Sequence, residues 1–190
     1  MLAPDFLYRL GGTKLVTPKG QGITNIREMV PWPVITEDTV SGFNYLQVLP
    51  DVRADKQGLI GFCCGGEMAF AAATQIPTLN AVAVYYGRSP SPLELVKNIH
   101  APVLANYGAK DEGITKGVDA TAATMKKYNK VYDYKIFPGA QHAFNNDSNP
   151  SRYHPQAAKE AWARTPSRRA RREVRSPLVF IFLLGYIQRT

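Results

Sequence analysis

A cysteine lies where a predicted strand meets a predicted helix. In Gly61-Phe62-Cys63-Cys64-Gly65-Gly66, Cys63 has a glycine two residues before it and another two residues after it. This is the spacing of a nucleophile elbow, whose strained turn lifts the nucleophile above the sheet edge and needs neighbours without side chains. The first amides of the following helix favour a thiolate and a developing oxyanion, and the amide of Cys64 is the expected donor. The alternative is a buried thiol in a glycine-rich turn.

The neighbouring thiol, Cys64, leaves other interpretations open. Adjacent cysteines rarely form a disulfide, because the geometry strains the backbone. No histidine or further cysteine stands at ligand spacing from the pair, so we expect no metal. The spacing between the glycines favours Cys63 as the nucleophile, while Cys64 as nucleophile or a vicinal redox pair are the alternatives.

Two further residues fit the chemistry of a cysteine nucleophile. Asp111 and His142 each come soon after a predicted strand, in Tyr107-Gly108-Ala109-Lys110-Asp111-Glu112 and Pro138-Gly139-Ala140-Gln141-His142-Ala143-Phe144. Nucleophile, acid and base then follow one another in the chain order of an α/β-hydrolase triad. In such a site His142 takes the thiol proton, and Asp111 fixes its tautomer and stabilises the imidazolium. His100 and His154 fit less well, because neither directly follows a strand.

Short β-branched runs alternate with longer helical stretches, which predicts an α/β fold with a mostly parallel sheet. The first 35 residues resemble an irregular loop, including Leu15 and Val16. Thr36 is a plausible N-cap for the first long helix. Strands are expected at 58–62, 81–86, 103–107 and 131–137, and helices at 37–49, 65–74, 114–128 and 155–164.

The positive charge of the chain is concentrated at its end. Of the net +8, residues 165–190 contribute +5, which leaves +3 for residues 1–164. A nucleic-acid footprint should instead spread over a face of the folded domain. The chain has no signal-peptide pattern, so we expect a cytoplasmic, monomeric protein with a small-molecule substrate and with neither a nucleic-acid nor a membrane partner.

The tail, residues 165–190, differs from the 1–164 domain. An arginine-rich run, 167–175, precedes seven consecutive apolar residues at 178–184. That apolar run is far shorter than the roughly 20 residues that span a bilayer. We expect a packed terminal strand or helix, or sequence foreign to the fold through a frameshift. The alternative is that the tail lies on a membrane surface or binds nucleic acid.

The motifs around Cys63, Asp111 and His142, together with Tyr85-Tyr86-Gly87 and the segment from Leu2-Ala3-Pro4-Asp5 to Gly12-Thr13, resemble the dienelactone hydrolases, or carboxymethylenebutenolidases. The resemblance covers residues 1–164 and implies an α/β-hydrolase fold. It also implies a Cys63-His142-Asp111 triad that hydrolyses an enol-lactone in aromatic catabolism through a thioester, without a cofactor.

The same resemblance implies residues that bind substrate, and it shows departures. Arg9 falls where the family has an arginine for the substrate carboxylate, and we also expect Tyr86 and Phe144 to contact substrate. Asn146 replaces the family's second arginine, which weakens the dienelactone assignment specifically. Family members begin earlier, with strands, a glutamate near the thiol and the second oxyanion donor. An inactive fragment of such a hydrolase is therefore the alternative to an active enzyme.

Overall fold

Five parallel strands form the sheet that positions the candidate residues. The structure, a computed structural model, describes residues 2–12, 26–165 and 179–184 of the 190-residue chain. The sheet order is β4-β3-β2-β1-β5, and every neighbouring pair is parallel. The strands are β1 (Gln57–Phe62), β2 (Ala81–Tyr85), β3 (Val103–Gly108), β4 (Tyr132–Phe137) and β5 (Val179–Leu184).

Helices cover both faces of this sheet. They are α1 (Ile26–Met29), α2 (Trp32–Gln47), α3 (Cys64–Ala72), α4 (Glu112–Thr115), α5 (Val118–Lys127) and α6 (Pro155–Arg164), with 3₁₀ turns at Tyr8–Leu10 and Leu93–Asn98. Because side chains alternate along a strand, Leu59 of β1 joins the apolar cluster shared with α2, α3 and α5. Its neighbour Ile60 joins the smaller cluster under α6. The predicted α/β-hydrolase architecture, a parallel sheet between helices, is confirmed.

The predicted elements agree with the structure except near prolines and glycines. The four predicted strands and the helix at 155–164 are confirmed, with strand ends that differ by at most one residue. The N-cap prediction for Thr36 is wrong, because α2 begins at Trp32 and the buried Thr36 hydroxyl donates to the Trp32 carbonyl at 3.1 Å. Pro33 is tolerated there because amides in a first turn have no intrahelical partner.

Two other expectations need correction. The predicted helix at 114–128 is two helices, α4 and α5, separated at Lys116 and Gly117. The first 35 residues are not wholly irregular, since they contain the turn Tyr8–Leu10, helix α1 and the start of α2. The predicted loop at Leu15 and Val16 lies outside the described residues.

Part of the tail belongs to the sheet. Strand β5 lies at the sheet edge beside β1, with Gln57 paired to Val179 and Phe62 to Leu184. Ile181 and Leu183 are fully buried, and Leu2 bridges to Ile181. This agrees with a packed terminal strand for 179–184. The arginine-rich run at 167–175 lies outside the described residues, and the domain boundary at Arg164 stays a prediction.

None of the helices in the described ranges is long and apolar enough to cross a lipid bilayer.

Replacing Ile181 with alanine tests whether β5 contributes to the fold. Because Ile181 is fully buried in the larger apolar cluster, we expect the free energy of unfolding to fall by about 2–5 kcal/mol. Thermal unfolding followed by circular dichroism should show a midpoint lower by several degrees. Val48→Ala is the matched control, since that side chain is 77% exposed. Equal midpoints for both variants would show that burial of the Ile181 side chain does not stabilise the fold.

Candidate active site

Cys63 occupies a strained turn between β1 and α3. Its backbone has φ 56° and ψ −121°, in a region that L-residues rarely adopt. The Cys63 amide donates to the Tyr85 carbonyl at 3.0 Å, while its carbonyl accepts from Gly66 and Glu67 in the first turn of α3. Bonds on both sides therefore hold the residue in its strained conformation. The thiol is half-buried.

Two glycines allow this turn to form. A Cβ on Gly61 would lie 1.9 Å from the Gly65 carbonyl oxygen, and one on Gly66 would lie 2.7 Å from the Tyr85 oxygen. Both contacts are with backbone, so no side-chain movement could relieve them. The start of α3 can thus approach the ends of β1 and β2 closely only because these positions lack side chains.

The structure brings the three predicted catalytic residues together at the carboxyl edge of the sheet. His142 Nε2 lies 3.0 Å from Cys63 Sγ, and His142 Nδ1 lies 2.5 Å from Asp111 Oδ2. A carboxylate accepts only, so Nδ1 carries the proton and the lone pair of Nε2 faces the thiol. The Asp111 side chain is 12% exposed and that of His142 30% exposed. This geometry suits transfer of the thiol proton to the imidazole.

Asp111 occupies an N-cap position but uses its carboxylate differently. It precedes α4, yet its side chain makes no capping hydrogen bond to that helix. The carboxylate binds His142 instead. A simple helix cap, which is the common role for aspartate in a loop, does not describe this side chain.

The loops that carry Asp111 and His142 are joined through their backbones. The Ala109 amide donates to the Phe137 carbonyl at 3.0 Å, and the Lys110 amide donates to the Ala140 carbonyl at 2.8 Å. A Cβ on Gly108 would lie 2.7 Å from the Ala140 oxygen, so a side chain there would push the loops apart. Asp111 and His142 therefore lie on loops that backbone hydrogen bonds join directly.

The thiol of Cys63 is held in its neutral form. Its pKa is raised above the ordinary value, first by the hydrogen bond with the Cys64 thiol and then by burial, and the Asp111 carboxylate adds to the rise. A backbone hydrogen bond from Cys64 lowers the pKa, which is the direction expected of an amide at a helix start, but it is outweighed. The bias toward a thiolate expected from the helix start is thus outweighed by the Cys64 thiol and by burial.

The aromatic residues predicted to bind substrate are buried beside His142. Tyr86 has a ring centroid 5.1 Å from that of His142 and 5.3 Å from that of Phe144. Tyr86 is 2% exposed and Phe144 fully buried, packed on Phe137. Direct contact of either residue with substrate stays a prediction.

The polar positions related to substrate binding have partners within the chain. Both terminal nitrogens of Arg9 donate to the Asp38 carboxylate, at 2.5 and 2.8 Å. The Asn146 Oδ1 accepts from the Ser148 amide and hydroxyl, at 3.1 and 2.7 Å, and so closes a local turn. A role for Arg9 toward a substrate carboxylate stays a prediction.

The other histidines lie outside this cluster. His100 is exposed in the segment before β3. The Nδ1 of His154 accepts from the Ala157 amide at 3.3 Å and caps α6. Within the described parts of the chain, no three histidine, cysteine, aspartate or glutamate side chains form a group that could hold a metal ion.

Sequence reasoning missed the strain at Tyr86 and the tight contact at Gly108. Tyr86 has φ 41°, which is uncommon for an aromatic residue. The glycine in Tyr85-Tyr86-Gly87 is a signal that could have indicated it, since a Cβ on Gly87 would lie 2.4 Å from the Glu67 amide nitrogen. Close backbone contact at this loop therefore fixes the residue before it.

The parallel sheet, the turn at Cys63 and the chain order of Cys63, Asp111 and His142 fit an α/β-hydrolase fold, and comparison with known proteins gives its family. The dienelactone hydrolase family model matches residues 1–168. This chain belongs to the dienelactone hydrolase family.

Individual relatives agree with this family. A Saccharolobus solfataricus protein named "Putative carboxymethylenebutenolidase" is 44% identical over 108 residues, which are 57% of this chain and 41% of that protein. A Bradyrhizobium protein named "Probable 2-oxo-3-(5-oxofuran-2-ylidene)propanoate lactonase" is 33% identical over 142 residues, 69% of this chain and 56% of that protein. The chain thus spans about half the length of these relatives.

Solved structures share the fold. The crystal structure of a "Putative Dienelactone Hydrolase" from Klebsiella pneumoniae superposes with a TM-score of 0.66 at 28% identity, over 72% of this chain and 60% of that chain. The dienelactone hydrolase of Anabaena variabilis gives a TM-score of 0.55 at 22% identity, over 70% and 59% of the two chains.

Removing the Cys64 thiol should make Cys63 more acidic. Because its hydrogen bond is the largest cause of the raised pKa, Cys64→Ala should shift the pH midpoint of Cys63 alkylation to lower pH. Thiolate is the reactive form, so alkylation at neutral pH should also be faster. The measurement is the iodoacetamide rate against pH, with Cys63→Ala to show which thiol reacts. An unchanged midpoint would contradict this account of the thiol.

Proposed function

We propose that this chain hydrolyses carboxylic ester or lactone bonds through a thioester on Cys63, with His142 as base and Asp111 as its orienting partner. The main support is the pair of contacts made by His142: its Nδ1 lies 2.5 Å from Asp111 Oδ2, and its Nε2 lies 3.0 Å from Cys63 Sγ. Membership of the dienelactone hydrolase family supports this reaction class.

The first half of the reaction forms the thioester. His142 Nε2 takes the thiol proton as Sγ attacks the carbonyl carbon, so the C–S bond forms and the carbonyl electrons move to oxygen. The amide of Cys64 is suited to receive that oxyanion, because it lies directly after the nucleophile at the start of α3. Collapse breaks the C–O bond, and the leaving alkoxide takes the proton from His142. For a lactone, the released hydroxyl stays on the acyl group.

The second half returns the free enzyme. His142 Nε2 takes a proton from water, and the resulting hydroxide attacks the thioester carbon. The C–S bond breaks, the thiolate recovers its proton from the imidazolium, and a carboxylic acid leaves. Throughout, Asp111 stays ionised and keeps the proton of His142 on Nδ1. No other reactant is needed to balance either half.

The neutral resting thiol fits this cycle. Because the pKa of Cys63 is raised by Cys64 and by burial, little free thiolate exists at neutral pH. Proton transfer to His142 then accompanies attack on the substrate, which the 3.0 Å contact allows. A thiol held neutral is also less open to alkylation or oxidation between turnovers.

The substrate we propose is a carboxylic ester or lactone. The names of two relatives, carboxymethylenebutenolidase and an oxofuranylidene propanoate lactonase, favour an enol-lactone. An enol-lactone from aromatic catabolism, which the motif resemblance implies, belongs to this class. Two residues argue against a lactone that carries a carboxylate. Asn146 is uncharged with its oxygen in a local turn, and Arg9 is paired with Asp38.

Replacing each of the three residues tests the proposal. Cys63→Ala and His142→Asn should abolish hydrolysis of an aryl ester, because they remove the nucleophile and the base. Asp111→Asn should lower kcat on the order of 10³- to 10⁴-fold, because the tautomer of His142 is no longer fixed. The measurement is release of p-nitrophenol, together with the intact mass of acid-quenched enzyme, which should increase by one acyl group in the wild type and not in Cys63→Ala.

Matched controls separate chemistry from folding. Cys64→Ala keeps the Cys64 amide, while His100→Asn and Asp119→Asn change exposed residues of the same types. All three controls should retain turnover. Full turnover by Cys63→Ala would show that the nucleophile is elsewhere. A wild-type chain that unfolds cooperatively but neither hydrolyses nor forms the acyl adduct would show that it is inert.

A further inference from the structure

Tyr86 stands between the strands that carry the nucleophile and the acid. It is the first residue after β2, which lies between β1 and β3. The Tyr86 amide donates to the Asn106 carbonyl of β3 at 2.8 Å, and the preceding Tyr85 carbonyl accepts from the Cys63 amide at 3.0 Å. The backbone at Tyr86 is thus tied to both neighbouring strands at the catalytic edge.

This position is strained. Tyr86 has φ 41°, a positive value that residues with bulky rings rarely adopt. Such strain persists only when surrounding contacts determine the conformation. Two of those contacts are the hydrogen bond from the Tyr86 amide to the Asn106 carbonyl and the close approach of Gly87 to Glu67 in α3. The strained backbone therefore sets the direction of the Tyr86 ring.

The ring points at the base. Its centroid is 5.1 Å from that of His142 with an interplanar angle of 61°, and 5.3 Å from that of Phe144 with an angle of 73°. Both contacts have the edge geometry that aromatic pairs favour. With 2% of its surface exposed, Tyr86 fills the space between Phe144 and the imidazole.

The base needs such a contact. His142 lies on a loop, and 30% of its side chain is exposed. Its polar contacts with Asp111 and Cys63 hold the two nitrogens, and the Tyr86 ring packs against the imidazole. Rotation of the imidazole would break both contacts, and a displacement of about 1 Å at a catalytic group can cost about a hundredfold in rate.

We propose that Tyr86 is a positioning residue whose ring, rather than its hydroxyl, holds His142 in line between Asp111 and Cys63. This inference rests on the proposed cysteine hydrolase function. Among the described residues, no hydrogen bond involves the Tyr86 hydroxyl. Burial also raises the pKa of Tyr86, so the hydroxyl stays neutral and is no base.

Paired substitutions separate the ring from the hydroxyl. Tyr86→Phe keeps the ring, so kcat and KM for the aryl ester should stay within about threefold of the wild type. Tyr86→Leu removes the ring, and kcat should fall about 10- to 100-fold with KM little changed, because the base is displaced. Rates are expressed per folded molecule, from the amplitude of the thermal unfolding transition.

A matched control and a spectroscopic signature test positioning as such. Tyr107→Leu removes another buried tyrosine, which contacts Tyr132 and not His142. Its loss of stability should resemble that of Tyr86→Leu, with kcat per folded molecule retained. The His142 Nδ1 proton should give a downfield NMR resonance in the wild type, Tyr86→Phe and Tyr107→Leu, and should be lost to solvent exchange in Tyr86→Leu.

Several results would overturn the proposal. A raised KM with unchanged kcat in Tyr86→Leu would make Tyr86 a substrate contact. Equal losses in Tyr86→Phe and Tyr86→Leu would assign the effect to the hydroxyl. Equal kcat losses in Tyr86→Leu and Tyr107→Leu would reduce it to general packing. Turnover by Cys63→Ala is the separate result that refutes the cysteine mechanism itself.

Discussion

The close approach of α3 to the ends of β1 and β2 is the constraint on which the site depends. Gly61 and Gly66 remove the two side chains that would hold this helix away from the strands. With the helix in place, the chain has no room to leave β1 gradually, and Cys63 takes a positive φ. The thiol then projects above the sheet edge within 3.0 Å of His142. Backbone contact between glycines thus determines where a sulfur atom can react.

The electrostatics of the site follow from the same placement. The start of α3 brings amides that stabilise negative charge, but it also brings the Cys64 thiol, and burial disfavours any thiolate. The second influence is the stronger, which favours the protonated thiol. In the proposed reaction the site therefore depends on an accurately placed base more than one with a preformed thiolate would.

Local signals predicted a large part of this structure. The strands are short apolar runs bounded by turn residues, and glycines on both sides of Cys63 indicate the elbow. Both features could therefore be predicted from the sequence. The order of Cys63, Asp111 and His142 predicted their meeting, because successive parallel strands end at one edge. The N-cap was assigned to Thr36 because Pro33 suggests that a helix begins after it. The first turn of a helix nevertheless accepts proline, and α2 begins at Trp32.

What could not be predicted depends on contacts between distant segments. Strand β5 pairs with β1 more than a hundred residues away in sequence, and an apolar run does not specify its neighbour. The burial of Tyr86 against His142 depends on the backbone hydrogen bond from Tyr86 to Asn106, which the composition does not reveal. An asparagine in a loop is expected to close a local turn. That the Asn146 Oδ1 is engaged by Ser148 could not be predicted from the residue type.

The backbone bonds that join the two loops after β3 and β4 have a consequence for motion. The Ala109 and Lys110 amides bind the Phe137 and Ala140 carbonyls, so the loops that carry Asp111 and His142 are joined directly. Cys63 is held by other backbone hydrogen bonds, to Tyr85 and to the first turn of α3. A change in the β1–α3 turn would therefore act first on the distance from imidazole to sulfur, while the contact from carboxylate to imidazole lies within the joined loops.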